Sequence, residues 1–210
     1  MNYSAIILCA GAGKRTHLSY NKMFYVIDGQ TVYEKTMHVF LNDPRCQQII
    51  VVTKKEEQED FQKLITDSRI VYVEGGAERQ DSVFNGLKAV NQDYVMIHDG
   101  ARCFIKPDLL DRLCASLEEH DATLAMVPSI DTVKRVRDGK VVETLKRSEL
   151  YNAQTPQAFK KSLITKAYHY VNEHHLAVTD DASCVEAMNE DVYVVMGDYD
   201  NKKITTPQDL

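Results

Sequence analysis

Six short apolar runs limit what this chain can fold into: Ile6 to Leu8, Gln48 to Thr53, Ile70 to Glu74, Tyr94 to Ile97, Thr123 to Pro128 and Val192 to Met196. Ile6 to Leu8, Gln48 to Thr53 and Tyr94 to Ile97 are nearly continuous in apolar residues, as buried strands require, and the other three runs also read as strands. Between them lie segments of helical periodicity, at Thr31–Leu41, Glu56–Ile65, Val83–Val90 and Leu109–Glu119. Strand, helix, strand, helix is the rhythm of a parallel α/β sheet with right-handed crossovers. At 210 residues and 44% hydrophobic, the chain has enough apolar material for one domain, residues 1–210.

The first strand runs into Ala10-Gly11-Ala12-Gly13-Lys14-Arg15, with Lys22 following. Glycines let the backbone turn tightly and bring N–H groups to a ligand. Backbone N–H groups beside Lys and Arg suit phosphate oxygens, which only accept. No Gly-Lys-Ser/Thr closes the loop as in the Walker pattern, and the third glycine of the dinucleotide fingerprint is missing. A tight turn that binds nothing is the competing reading. Lys22 to Ile27 reads as an extended stretch, Asp28-Gly29 as a turn, and Thr31 with Glu34 as a capping box. Gly75-Gly76 after the third strand again sets N–H groups at a strand's carboxyl end, where open α/β sheets bind ligands. Ser82 there is a helix cap or a ligand contact. His98-Asp99-Gly100-Ala101-Arg102 ends the fourth strand. Asp99 is placed for a divalent metal or a substrate, and Arg102 for a phosphate; a turn salt bridge between them is the plain alternative.

Residues 131–147 break the rhythm, as two alternating strands around Asp138-Gly139. An isolated hairpin is marginal in water, so it packs on its own domain or on a second copy. Gln154 to Phe159 leads into a helix through Tyr170, and Thr179-Asp180-Asp181 opens another to Met188, both carboxylates suiting the helix dipole. Thr206-Pro207-Gln208-Asp209-Leu210 reads as the start of a helix cut short. A net charge of −6 argues against a general nucleic-acid binder. Five scattered cysteines without a Cys-x-x-Cys pair fit reduced thiols in a cytoplasmic protein. Cys9 and Cys114 read as core fillers. No run has membrane-spanning length, and the first residues lack the basic region of a signal peptide.

Seven motifs, in order and spanning nearly the whole chain, carry a resemblance. They are Ala10 to Arg15 with Lys22, Gly75-Gly76-x-Glu78-Arg79-x-x-Ser82, His98 to Arg102, Asp131-Thr132-Val133-Lys134, Gln154-Thr155-Pro156-Gln157, Thr179-Asp180-x-Ala182-Ser183, and Asn201 to Leu210. With them the chain resembles the 2-C-methyl-D-erythritol 4-phosphate cytidylyltransferases of the non-mevalonate isoprenoid route. The resemblance implies a Rossmann-like nucleotidyltransferase fold, a mostly parallel sheet flanked by helices with a protruding β-hairpin arm at 131–150 that makes a homodimer. It implies transfer of CMP from CTP to a polyol phosphate, releasing pyrophosphate, with Mg²⁺ carried mainly on the CTP phosphates and Asp99 as its protein ligand.

By the same resemblance Arg15, Lys22 and Lys203 are catalytic. Ala10, Gly11, Ala12, Gly13, Gly76, Ser82, Asp99 and Gly100 hold CTP. Asp99, Arg102, Thr132, Arg147, Thr155 and Thr179 hold the acceptor, Thr132 and Arg147 from the arm. The chain departs from the family pattern at Asn21 and Cys103, where proline is frequent, and at Cys9. Ribitol 5-phosphate is the alternative acceptor, although that group usually shows Gly-Gly-Lys-Gly-Thr-Arg in the first loop. A non-catalytic nucleotide-binding protein would be expected to lose one of Arg15, Lys22, Asp99 or Lys203, and all four stand here.

Overall fold

A computed structural model of the chain describes residues 1–11 and 18–209. In chain order the elements are β1 (Tyr3–Leu8), β2 (Val26–Ile27), β3 (Gln30–Thr31), α1 (Val32–Leu41), β4 (Cys46–Thr53), α2 (Gln58–Leu64), β5 (Ile70–Glu74) and α3 (Arg79–Ala89). There follow β6 (Tyr94–Asp99), α4 (Pro107–Leu117), β7 (Ala122–Pro128), β8 (Lys134–Arg137), β9 (Lys140–Thr144), β10 (Tyr151–Lys160), α5 (Lys161–Glu173), α6 (Asp181–Glu186) and β11 (Tyr193–Met196). Seven strands form one sheet in the order β11-β7-β10-β6-β1-β4-β5.

The six apolar runs are six of these strands, and they lie parallel; the seventh, β10, runs antiparallel between β6 and β7. Gln154 to Phe159 therefore belongs to a strand and not to a lead-in loop. Pro156 obscures it, since proline cannot donate to a sheet ladder. The register shifts between Ala153 and Gln157, which places Pro156 where the regular pairing is already broken.

Strand alternation divides the core. Ala5, Ile7, Ile49 and Val51 join Met37, Phe40, Leu110 and Leu113 of α1 and α4 on one face. Ile6, Ile50 and Val52 join Val83 and Leu87 of α3 and Ile164, Tyr168 and Val171 of α5 on the other. All five cysteines are buried and free, in keeping with core filling at Cys9 and Cys114. The Thr31–Glu34 capping box is present. So are the turns at Asp28-Gly29 and Asp138-Gly139, with positive φ at all four residues.

Local boundaries differ from expectation at several points. Lys22–Phe24 is a 3-10 turn before a short hairpin, where an extended stretch was expected, because the Asn21 side chain caps it. α3 begins at Arg79 and not Val83: Glu78 is its N-cap and closes a capping box with Asp81. A 3-10 turn at Lys55–Glu57 precedes α2, and another at Pro207–Asp209 stands near the end, with Asp209 accepting from the Thr205 and Thr206 amides. The hairpin β8–β9 pairs as expected, and all its residues are exposed. None of the described helices is long and apolar enough to cross a membrane.

Helix α3 lies close to the sheet because Gly86 has no side chain: a Cβ there would stand 3.0 Å from Ile6 Cγ2 and 3.2 Å from Val52 Cγ2. That approach fixes the height of the helix's first turn above the strand ends. Gly86→Val is therefore expected to destabilise the fold by roughly 1–3 kcal/mol through overpacking, read as a lower denaturant midpoint at unchanged slope.

Candidate functional site

The carboxyl ends of β1, β4, β5 and β6 open on a cleft of about 600 Å³. The two glycine turns meet at its rim. A Cβ on Gly75 would stand 2.7 Å from Ala10 Cβ, and one on Gly76 only 2.2 Å from Asp81 Cβ. No side chain fits at Gly76. Its N–H donates to Ser82 Oγ at 3.0 Å, and Ser82 donates to the Glu78 carbonyl at 3.1 Å. Ser82 thus folds the Gly75-Gly76 turn over α3 while facing the cleft. Ala10, Gly11, Gly76 and Ser82 all line it. Ala12, Gly13 and Arg15 lie outside the described residues.

At the floor stands Asp99, last residue of β6 and 9% exposed. Lys203 Nζ donates to Asp99 Oδ2 at 2.5 Å and Arg79 Nε to Oδ1 at 3.2 Å. Burial alone would raise this carboxyl; the Arg79 and Lys203 charges outweigh it and hold it well below the usual carboxylate range. Arg79, in the first turn of α3, gives its two terminal nitrogens to Asp181 at 3.0 and 2.8 Å. Asp181 is fully buried and also accepts from Tyr168 at 2.6 Å. Burial works against the Arg79 charge, yet Asp181 and Asp99 keep the guanidinium firmly protonated. Burial, then Asp181, drives the Tyr168 hydroxyl far up.

Asp99 has other partners than the plain alternative gives it, and Asp181 does more than suit the dipole of α6. Asp99 pairs with Arg79 and Lys203, not with Arg102. Asp180 is the N-cap of α6, as the dipole reading implies, but Asp181 is an ion-pair partner of a residue 102 positions earlier. No local pattern signals that pairing. Two cations already occupy Asp99's two oxygens, and no cluster of three His, Cys, Asp or Glu able to hold a metal stands among the described residues. Asp99 as a direct magnesium ligand does not fit this donor geometry.

Lys203 and Lys22 approach the floor from opposite ends of the chain. Ile204 is buried, its N–H donates to the Ala101 carbonyl at 2.9 Å, and Lys22 Nζ donates to the Ile204 carbonyl at 2.6 Å. Asp99, Lys22 and Lys203 line the cleft, and so does Arg79.

Gly100, Arg102, Thr132, Arg147, Thr155 and Thr179 do not. Gly100 packs beneath, where a Cβ would meet Met23 Cε at 2.8 Å. Arg102 holds the carbonyls of Asn201, at 2.7 Å, and Ala153, at 3.4 Å. Thr132 precedes β8, Arg147 follows β9 in a 3-10 turn, and the Thr179 N–H donates to Ser183 Oγ before α6.

Thr155 is buried under Asp99. Its hydroxyl accepts from the Asp99 N–H at 3.0 Å and lies 3.1 Å from His98 Nδ1. The other ring nitrogen is 3.2 Å from the Arg102 carbonyl. A carbonyl only accepts, so the network assigns the proton to Nε2, and Thr155 donates to Nδ1. Burial pushes His98 down to about 4.

Two outcomes follow from the buried groups. Asp181→Asn leaves Arg79 without its buried counter-charge and is expected to cost about 3 kcal/mol of stability, measured by denaturant unfolding. His98 stays neutral in the fold but takes a proton in the unfolded chain below its ordinary value of 6.5. Its contribution is complete above that pH and falls away as pH drops from 6.5 towards 4. A His98→Gln variant is expected to flatten the stability–pH slope across that window.

Residues 3–210 match the family model described as 2-C-methyl-D-erythritol 4-phosphate cytidylyltransferase. The chain is 42% identical over 216 residues to the enzyme of that description from Bacillus pumilus, covering all of this chain and 94% of the relative. It is 41% identical to that from Geobacillus kaustophilus, with the same coverage. Among solved structures, 4-diphosphocytidyl-2C-methyl-D-erythritol synthase from Anaerococcus prevotii superposes with a TM-score of 0.88 at 35% identity, over 98% of this chain and 93% of that one. The Thermus thermophilus cytidylyltransferase gives 0.82 at 28%, over 100% and 95%. The chain belongs to the 2-C-methyl-D-erythritol 4-phosphate cytidylyltransferase family, nucleotidyltransferases of isoprenoid biosynthesis.

Proposed function

We propose that the cleft at the strand ends is where this chain joins CTP to methylerythritol 4-phosphate, with its cations arranged as follows. The nucleotide lies along the two glycine turns, with Ser82 and Gly76 towards the base and ribose. The triphosphate points to the floor, where Lys22 and Lys203 both line the cleft and Lys22 Nζ holds the carbonyl of Ile204, the residue after Lys203. That convergence carries the reading. An oxygen of the acceptor phosphate attacks the α-phosphorus of CTP. A new P–O bond forms in line, the α–β bridging P–O bond breaks, and the electron pair leaves on pyrophosphate.

Negative charge spreads over the pentavalent centre, so catalysis consists of positioning and of positive charge held ready. Lys22 and Lys203 supply it from the floor, and Arg15 supplies it from the first loop by resemblance. Asp99 holds Lys203 in place through their ion pair. Mg²⁺ carried on the triphosphate would offset part of its charge, and no protein carboxylate is assigned to it.

The hairpin within residues 131–150 is, in this proposal, the arm that pairs with a second copy. Val136, Val141 and Val142 on it are all more than half exposed, apolar surface that pairing would cover. Thr132 and Arg147, away from the cleft of their own chain, then serve the partner's acceptor. All 210 residues act as one cytoplasmic domain.

The test is pyrophosphate release with CTP, Mg²⁺ and either methylerythritol 4-phosphate or ribitol 5-phosphate, beside Lys203→Ala and Arg15→Ala. Release with the first acceptor, lowered on the order of 10²–10³ in each variant, is the expected result. Release with ribitol phosphate alone moves the acceptor, and silence with both from folded protein removes the assignment of the cleft.

A further inference from the structure

One buried amide ties the Lys22 turn to the mouth of the first glycine loop. Asn21 is 6% exposed and uses three of its hydrogen-bonding positions at once. Its Oδ1 accepts from the Met23 N–H at 3.1 Å, which caps the 3-10 turn beginning at Lys22. Its Nδ2 donates to the Cys9 carbonyl at 2.9 Å and to Glu57 Oε2 at 2.8 Å. Cys9 directly precedes Ala10 and Gly11, and Glu57 ends the 3-10 turn before α2. One side chain therefore joins the end of β1, the Lys22 turn and the approach to α2.

The opposite flank of the turn is fixed by packing. Met23 is 1% exposed in the core, and the Phe24 ring centroid lies 4.6 Å from that of Phe61. Lys22 stands between these two anchors. Packing alone would hold the turn in the core but would not set its register against the glycine loop, because apolar contact is non-directional. The bond from Nδ2 to Cys9 does set it, since hydrogen bonds weaken steeply away from their preferred distance and angle. Asn21 has φ −64°, the value a proline ring fixes covalently. Here hydrogen bonds do the holding.

We propose that Asn21 is a positioning residue for cytidylyl transfer, its side-chain amide setting where the Lys22 ammonium meets the nucleotide phosphates. The proposal rests on the role given to Lys22 above. Charge stabilisation depends on placement, and a displacement near 1 Å costs up to about 10²-fold in rate.

A double-mutant cycle on the full chain tests it, with Asn21→Ala, Lys22→Ala and the pair, measuring kcat, KM for CTP and the melting temperature. Asn21→Ala is expected to lower kcat about 10-fold with KM for CTP changed less than about threefold, the sign of an interaction made chiefly in the transition state. In the Lys22→Ala background the same change is expected to add no further loss, since residues acting as a unit are not additive. A full second loss in that background assigns Asn21 a merely structural role and overturns the proposal. Lys22→Ala impaired with Asn21→Ala at normal kcat overturns it alone, whereas Lys22→Ala at normal turnover removes the Lys22 reading and this proposal together. Asn21→Ser keeps an acceptor for the Met23 N–H but does not reach Cys9 or Glu57. It carries the same cycle and the same criteria if Asn21→Ala does not fold.

Discussion

A carboxylate buried at the end of a strand stays ionised only with cations beside it, and the centre of this molecule is built on that requirement at Asp99. Desolvation opposes its charge, and Arg79 and Lys203 supply what opposes desolvation. Each cation comes from a different place in the chain, Arg79 from the first turn of α3 and Lys203 from the loop after β11. The single carboxylate therefore fixes two distant segments relative to β6. Arg79 reaches onward to Asp181 and Tyr168, so the arrangement extends into the contact between α5 and α6. Two cations face two carboxylates, and the set is close to neutral. Its first contribution is orientation, since it holds the Lys203 ammonium at the floor of the cleft.

The antiparallel strand β10 holds this arrangement from below. Thr155 accepts the Asp99 N–H and hydrogen-bonds to His98. Gln157 accepts from the Ala182 N–H and donates to Asp180, both at 2.8 Å, which sets the start of α6 and hence Asp181. Gln154 donates to the Asp198 carbonyl at 2.8 Å, and Asn201 donates back to the Thr155 carbonyl at 2.9 Å. The segment Gln154-Thr155-Pro156-Gln157 thus touches β6, α6 and the loop that carries Lys203. Buried polar side chains in these numbers are tolerated because nearly every one has a partner.

What the sequence reveals here follows from the range over which each signal acts. Of the six parallel strands, β1, β4, β6 and β7 are legible because burial on both faces writes itself into consecutive residues; the edge strands β5 and β11 are apolar runs although much of their surface is exposed. The capping box at Thr31 and Glu34 and the turn at Asp138-Gly139 are legible because three or four neighbours determine them. β10 is not, since Pro156 and its polar neighbours imitate a loop and only the register break reconciles them with a sheet. Arg79 stands in a recognisable motif, yet its role depends on Asp181, 102 residues away. Asn21 likewise reads only as a departure from the family's proline until Cys9 and Glu57 are seen against it.

The contacts of the two lysines also constrain how the site works. Lys203 already has an anionic partner at 2.5 Å, and Lys22 already donates to a backbone carbonyl. A phosphate entering the cleft competes with these contacts and does not meet bare ammonium groups. Competition of this kind lowers ground-state affinity. On the proposed function it costs less at the transition state, because cations already held in place need not reorganise as negative charge builds on the pentavalent centre. Interactions that strengthen as the reaction proceeds raise turnover, whereas those equally strong throughout raise only affinity. On the proposed function, cations pinned by Asp99 and the Ile204 carbonyl are of the first kind, provided the pins hold their positions. That proviso is why the buried amides of β10 and the packing beneath Gly100 belong to the chemistry as much as to the fold.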